Sequence, residues 1–315
     1  MGSRRKGIEI NGWINLEKPP GISSTSALNK LRRLLNAKKA GHGGTLDPLA
    51  SGILPVALGE ATKTITFCQD QLKSYRFKIM WGEARDTDDE EGKVIETSDQ
   101  RPTSDEIVSI LPFFTGEITQ LPPKYSAIKI DGQRAYDLAR EGKDVEIKPR
   151  NVYIQSLDLL EHNEGNAEFR CMCGKGTYMR SLARDIAIKL GTVGYIRDLL
   201  RESVGSLSLE SAISLAKIEE IIHSPAAGID FSEFLLPVQT VLDDIPALAI
   251  NQQEAMRLKN GQKLTFVSRT DIDRLLKAGV DESLEDTALA LHESTPIAIV
   301  SVNGAQIQPV RVLNL

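Results

Sequence analysis

The sequence is poor in cysteine, histidine and aromatic residues: three cysteines, four histidines and 5% aromatics in 315 positions. An odd, low cysteine count excludes a disulfide framework. Cys171 and Cys173 also stand too close on one strand to bridge, which suits a reducing compartment. Long apolar runs are missing too. The longest is about Ile53 to Leu58, far short of the roughly 20 residues that cross a bilayer. No apolar segment follows the basic start Met-Gly-Ser-Arg-Arg-Lys, and Lys6 stands where a myristoylation signal needs Ser or Thr. Neither secretion nor membrane spanning is expected, and the cytoplasm is the expected location. The Gly-x-x-x-x-Gly-Lys-Ser/Thr spacing is absent from 41–52 and from Gly174-Lys-Gly-Thr177, which argues against a nucleotide-binding P-loop. Cys171-x-Cys173 with His162 lacks the usual Cys-x-x-Cys spacing and a second ligand pair, so no metal is expected. Nor is there a convincing Ser-His-Asp set.

Excess positive charge is also lacking, the formal net charge being −5. The charge is segregated, however. From Lys18 to Leu46 there are six basic residues (Lys18, Lys30, Arg32, Arg33, Lys38, Lys39) and no acid, whereas Glu83 to Glu91 holds six acids against Arg85 alone. Such a molecule steers a polyanion to one face, although a solvated helix face accounts for the same pattern. A hydrophobic fraction of 41% with 26% charged residues excludes wholesale disorder, and 315 residues fit a large unit plus a smaller one. The boundary is expected near Pro246, after a loosened, proline-marked stretch, giving units 1–245 and 246–315.

Periodicity supplies the elements. Leu28, Leu31 and Leu35 recur at helical spacing behind a Ser24-Thr25 cap. Residues 41–52 have neither period and read as a loop, Tyr75 to Trp81 as a strand, and the acidic run after it as an exposed connection. The stretch from Pro122 to Arg150 reads as a binding or mobile loop. Ala167 to Cys173 alternates as a half-buried strand, and a helix follows from a Thr177 cap to about Leu190. The C-terminal portion reads as a short helix (252–259), a charged insertion, then strands over 297–302 and 310–313.

Asp47 is the first candidate for chemistry. The proline after it disfavours helical backbone and holds its carboxylate on a stiff, glycine-flanked loop, although an isolated Asp-Pro more often merely starts a turn. Arg180, in the first turn of a helix, is badly placed against the helix dipole. That suggests a dedicated anionic partner, a carboxylate or a phosphate, against the plainer reading of an exposed arginine. Tyr75 and Tyr178 read equally as amphipathic packing or as platforms for a base. His42 reads as a base, a contact or a structural residue.

Together these residues resemble the TruB family, synthases that convert uridine 55 in the tRNA T-arm to pseudouridine. The motifs follow in family order over nearly the whole chain: Lys18-Pro-Pro-Gly-Ile-Ser-Ser24, Gly44-Thr-Leu-Asp47-Pro-Leu-Ala-Ser-Gly52, Gly59-Glu-Ala-Thr-Lys63, Lys73-Ser-Tyr75-Arg76, Pro122-Pro-Lys-Tyr-Ser-Ala127 and Gly176-Thr-Tyr178-Met-Arg180-Ser-Leu-Ala-Arg-Asp185. The ending, Gln308-Pro-Val-Arg-Val-Leu-Asn314, is similar to the closing strand of a PUA-type RNA-binding module.

The resemblance implies an α/β (α+β) mixed-sheet catalytic domain over 1–245, carrying an RNA-binding insertion at about 122–150, and a β-rich PUA-like domain over 246–315. It implies Asp47 as the essential carboxylate, nucleophile or base, with Arg180 as its counter-charge. Tyr75 would stack on the base near the departing C5 proton, Tyr178 would pack on base or ribose, and Leu199 would line the uracil pocket. His42 would lie in or beside the space of the flipped nucleotide. The partner implied is the tRNA T-arm stem-loop, bound by a monomer without cofactor, metal or obligate protein partner. A tRNA-folding role is compatible alongside catalysis. Three other readings are weaker. A non-catalytic RNA chaperone would tolerate loss of Asp47, a guide-RNA-dependent relative would need partner proteins, and a glycosidase would need a second carboxylate. The sequence departs from the family at Gly43-Gly44, Leu200, Glu17 and Ser23, none of which is the aspartate.

Overall fold

The computed structural model describes residues 7–125, 147–223, 231–280 and 286–315, with the backbone of 129–130 and 133–134. The main sheet has ten strands. Its long path runs Ile213–Ser214, Gly12–Lys18, Ser51–Leu58, Gly194–Val204, Lys73–Trp81, Asn166–Cys173, Arg150–Asn163 and Gly116–Gln120. Ile213–Ser214 runs parallel to its neighbour, as does Ser51–Leu58 to Gly194–Val204; the other pairs on this path are antiparallel. The architecture is mixed α/β. The expected insertion at about 122–150 lies largely outside the described residues.

The long apolar run finds its explanation at the centre of this sheet. Leu54, Val56 and Leu58 point into the main core with Leu31, Ile79 and Leu182, while Ile53 and Ala57 point the other way. There they meet Trp13, Val204, Leu289, Ile299 and Leu313. A strand covered on both faces reads as continuous hydrophobicity instead of alternation. Leu289, Ile299 and Leu313 come from the C-terminal region, so the two sheets share this cluster.

That second sheet has five strands in the order Ala247–Ala249, Asp286–His292, Thr295–Asn303, Gln306–Val312 and Leu264–Thr265. The Gly59-Glu-Ala-Thr-Lys63 motif fastens it. Lys63 Nζ donates to the Val312 carbonyl at 2.7 Å and pairs with Glu60, whose carboxylate accepts from the Asn314 amide at 2.7 Å.

The structure corrects several local readings. Ser23, not Ser24 or Thr25, caps the Ser24–Leu34 helix, because its hydroxyl accepts from the Ser26 amide. Ser24 is turned inward instead. Thr177 caps nothing: its hydroxyl donates to the Gly174 carbonyl, and the Met179–Lys189 helix starts from Tyr178 without a side-chain cap. Residues 41–52 begin in the short strand Ala40–His42 and end inside Ser51–Leu58. The charged C-terminal insertion contains a helix, Arg269–Ala278, opened by a Ser268/Asp271 capping box, and the Asp286–His292 strand follows it. Among the described residues no helix is long and apolar enough to cross a membrane.

Candidate active site

Asp47 sits on a loop whose backbone is held from several directions. Ser24 Oγ bonds both the amide and the carbonyl of Leu46 at 2.8 Å. The Pro48 carbonyl accepts from the Gly21 amide at 2.8 Å and from Lys18 Nζ at 3.3 Å. Arg201 donates to the carbonyls of Gly44, Thr45 and Ile53 at 3.1, 3.4 and 2.7 Å. Gly52 admits no side chain here: its φ is +99°, and a Cβ would lie 2.3 Å from the Arg201 carbonyl oxygen. The loop is stiff because buried cations satisfy its carbonyls, in addition to the Asp-Pro step.

The carboxylate itself is gripped by Arg180. Nε donates to Oδ2 at 2.9 Å and Nη2 to Oδ1 at 3.2 Å, the two-pronged pairing that fixes orientation as well as charge. The Arg180 side chain is 5% exposed and that of Asp47 31% exposed, so the guanidinium is buried behind a carboxylate that faces the cleft. Its remaining donors reach the Thr87 carbonyl at 3.0 Å and the Tyr125 carbonyl at 2.9 Å, and Asp89 Oδ2 lies 3.5 Å from Nη1. The anionic partner demanded by the helix dipole is thus a carboxylate, joined by a second one.

Asp89 is where the reading of the acidic run fails. It is buried, bonded by Thr87 Oγ1 at 2.5 Å and by the Glu91 amide. Neighbouring Asp88 pairs with Arg184 at 2.9 Å. Burial pushes both carboxyls above the ordinary aspartate range, Thr87 and Arg180 opposing it at Asp89 and the two arginines at Asp88. The run Glu83–Glu91 is therefore not simply an exposed connection: two of its acids neutralise arginines from the Met179–Lys189 helix. Lys18 is likewise not a surface cation. It is fully buried, its Nζ also donates to the carbonyls of Pro19 and Ile22, and burial pulls it down to about 8 against the pull of Asp47.

In front of Asp47 opens a cavity of about 630 Å³. Asp47, Tyr75, Tyr178 and Leu199 line it together, with Lys73 and Arg201 on its inner wall and Arg150 and Lys175 at its edge. Tyr75 and Leu199 are buried, 9% and 7% exposed. Burial also pushes the Tyr75 phenol upward while Arg201 pulls the other way, so the ring presents a neutral hydroxyl. His42 is not itself among the residues that line the cavity. It ends the Ala40–His42 strand one residue before Gly43, the first residue of the cavity wall.

Five expected residues therefore converge, Asp47, Tyr75, Tyr178, Arg180 and Leu199, with Arg180 acting from behind the wall. Lys18, Asp89 and Arg201 complete the arrangement without having been singled out for it. Cys171 and Cys173 are buried, and His162, on the neighbouring Arg150–Asn163 strand, bonds Ser104 at the start of the Ser104–Ile110 helix at 2.9 Å. Among the described residues no cluster of three His, Cys, Asp or Glu side chains is arranged to hold a metal.

Comparison with known proteins gives this arrangement its class. Residues 32–179 match the domain described as TruB family pseudouridylate synthase (N terminal domain). The fold is shared with the Cbf5–Nop10–Gar1 complex (TM-score 0.73, 23% identity, 96% of this chain and 85% of that one). It is shared as well with an H/ACA RNP bound to a substrate RNA containing 2'-deoxyuridine (TM-score 0.73, 20% identity, 100% and 92%). The family match makes this class that of the pseudouridylate synthases.

Curated relatives narrow the class. The tRNA pseudouridine synthase B of Rhodospirillum rubrum is 47% identical over all of both chains. That of Caulobacter vibrioides is 45% identical over all of both, and that of Gluconacetobacter diazotrophicus 50% identical over 84% of this chain and 86% of its own. The chain belongs to the TruB family.

Proposed function

We propose that this chain isomerises uridine 55 in the T-arm loop of tRNA to pseudouridine, acting as a lone protein. The observation that carries the reading is Asp47: an anion oriented by a buried guanidinium at the mouth of a cavity with two tyrosines and a leucine in its walls. The reaction breaks the N1–C1′ bond, turns the uracil and joins C5 to C1′, after which C5 gives up its proton and N1 takes one up. No electron, phosphate or external group is exchanged. What the protein must supply is one carboxylate at the ribose, a pocket in which the freed base turns, and the energy that draws the nucleotide from its stack, a few kcal/mol.

In this reading Asp47 acts at C1′/C2′, as nucleophile or base. Tyr75 stacks on the base and lies by C5. Tyr178 packs against base or ribose, and Leu199 closes the apolar side. Residues 246–315 form a PUA-like unit that adds RNA contacts, and residues 1–245 with the insertion at about 122–150 form the catalytic unit. As a tRNA-modifying enzyme, in this reading, the protein works in the cytoplasm.

The direct experiment incubates the purified protein with an unmodified tRNA transcript and maps the product. One pseudouridine at position 55 is expected, and none after replacement of uridine 55 by cytidine. Modification elsewhere, or only with added protein or guide RNA, contradicts the reading.

Binding also follows from charge. Lys18 is buried, Lys30 pairs with Glu219 and Lys38 with Glu9, which leaves Arg32, Arg33 and Lys39 as the cations of that stretch without a salt bridge among the described residues. Each phosphate neutralised releases counterions, so tRNA affinity falls with salt. Replacing Arg32 and Arg33 by alanine is expected to shallow the log–log slope by about one per residue. A flat wild-type titration would remove these contacts from the reading.

A further inference from the structure

Gln120 ends the Gly116–Gln120 strand, opposite Arg150 in register, and leads into the Pro122–Ala127 motif. No chemical role has been given to it, yet it is 1% exposed and both ends of its amide are used. Oε1 accepts from the Tyr178 amide at 2.8 Å and Nε2 donates to the Tyr178 carbonyl at 3.1 Å. The side chain thus clasps the backbone of one residue, Tyr178, at both its N–H and its C=O. That residue opens the Met179–Lys189 helix, which has no cap from its own side chains. The Tyr178 carbonyl also accepts from Leu182, so Gln120 is tied into the first helical turn.

The next residues continue the latch. The Leu121 carbonyl accepts from Ser181 Oγ at 2.7 Å and from Arg184 Nη2 at 2.8 Å, and the Tyr125 carbonyl accepts from Arg180 Nη2 at 2.9 Å. Arg180 lies two residues beyond Tyr178. Its fork is useful only if the helix start holds both prongs on Asp47, and the Tyr178 side chain in the cavity wall belongs to the clasped residue itself.

We propose that Gln120 is a positioning residue for isomerisation: its amide sets the first turn of the helix, and so aims Arg180 at Asp47 and Tyr178 into the cavity. The inference rests on the synthase reading above. A buried amide with both ends paired to the backbone of one residue allows little rotation, and displacement of a catalytic constellation by about 1 Å costs up to about 100-fold in rate.

The test is single-turnover tritium release from tRNA labelled at uridine C5, with tRNA affinity measured alongside. Gln120→Met keeps the length of the side chain and loses both hydrogen bonds. Expected is a rate about 10- to 100-fold below wild type with affinity within about twofold, the range of independent sites. In an Arg180→Met background the same change is expected to cost far less, since the guanidinium it aims is gone. Gln120→Glu, which keeps the acceptor but sets an oxygen against the Tyr178 carbonyl, takes its place in the cycle should Gln120→Met melt below the assay temperature. Wild-type turnover by the Gln120 variant, or an equal loss in both backgrounds, overturns the proposal. An inactive wild-type protein would instead overturn the synthase reading itself.

Discussion

Asp47→Asn and Asp47→Ala release no tritium from tRNA labelled at uridine C5 and still bind that tRNA as the wild type does. Both halves of this expectation follow from the placement of the side chain. The carboxylate offers two oxygens to Arg180 and is 31% exposed toward the cavity, so it is the group presented to an entering ribose. Alanine removes it. Asparagine keeps the volume, but an uncharged amide is neither nucleophile nor base, and its NH₂ end faces a guanidinium that can only donate. A drop beyond about 10⁴-fold, about 5.5 kcal/mol of barrier, is expected for each. Binding is expected to survive because affinity for RNA comes mainly from phosphate contacts, and Asp47 as an anion supplies none. Residual turnover within about tenfold of wild type in either variant would remove Asp47 from the chemistry.

Arg180→Met is expected to cost nearly as much by another route. The guanidinium touches two carboxylates and two carbonyls, those of Asp47, Asp89, Thr87 and Tyr125. Methionine fills the same space and leaves all four without their donor. Removing one partner of a buried ion pair costs about 3–5 kcal/mol. If that cost falls on the active arrangement of Asp47, single-turnover tritium release slows about 10²- to 10⁴-fold. Arg180→Lys restores the charge but offers a point donor in place of a planar fork, so it recovers part of the rate. Near-normal turnover by Arg180→Met would separate the pairing from catalysis.

Much of the site was legible because some residues declare their needs locally. Proline after Asp47 restricts that residue by itself, and an arginine at a helix start asks for an anion wherever one stands. The partner's identity was harder to read. Asp47 and Arg180 are 133 positions apart, and the tertiary fold brings them together. Separation along the sequence hid Asp89 as well. An acidic run signals solvent by composition, and only the arrival of Arg180 and Arg184 turns two of its acids inward. Lys18 misled in the same way, since a lysine in a basic stretch looks like a surface cation until three carbonyls are found around it.

The fold was legible to a similar depth. Strands 75–81 and 167–173 and the helix after Thr177 followed from periodicity. The Arg269–Ala278 helix was overlooked although Ser268 and Asp271 spell a capping box, because dense charge masked the spacing of its apolar face. Sharing of one cluster between the two sheets had no local signature. Ile53 and Ile299 become neighbours only when the chain closes on itself.

The most direct measurement is a structure of the Asp47→Asn protein with a T-arm stem-loop. Expected is nucleotide 55 extruded into the cavity, its base between Tyr75, Tyr178 and Leu199, and its ribose C1′ or C2′ about 3–3.5 Å from the side chain at position 47. A nucleotide 55 still stacked in its loop, or seated with its ribose away from position 47, would contradict the assignment of this carboxylate to the reaction.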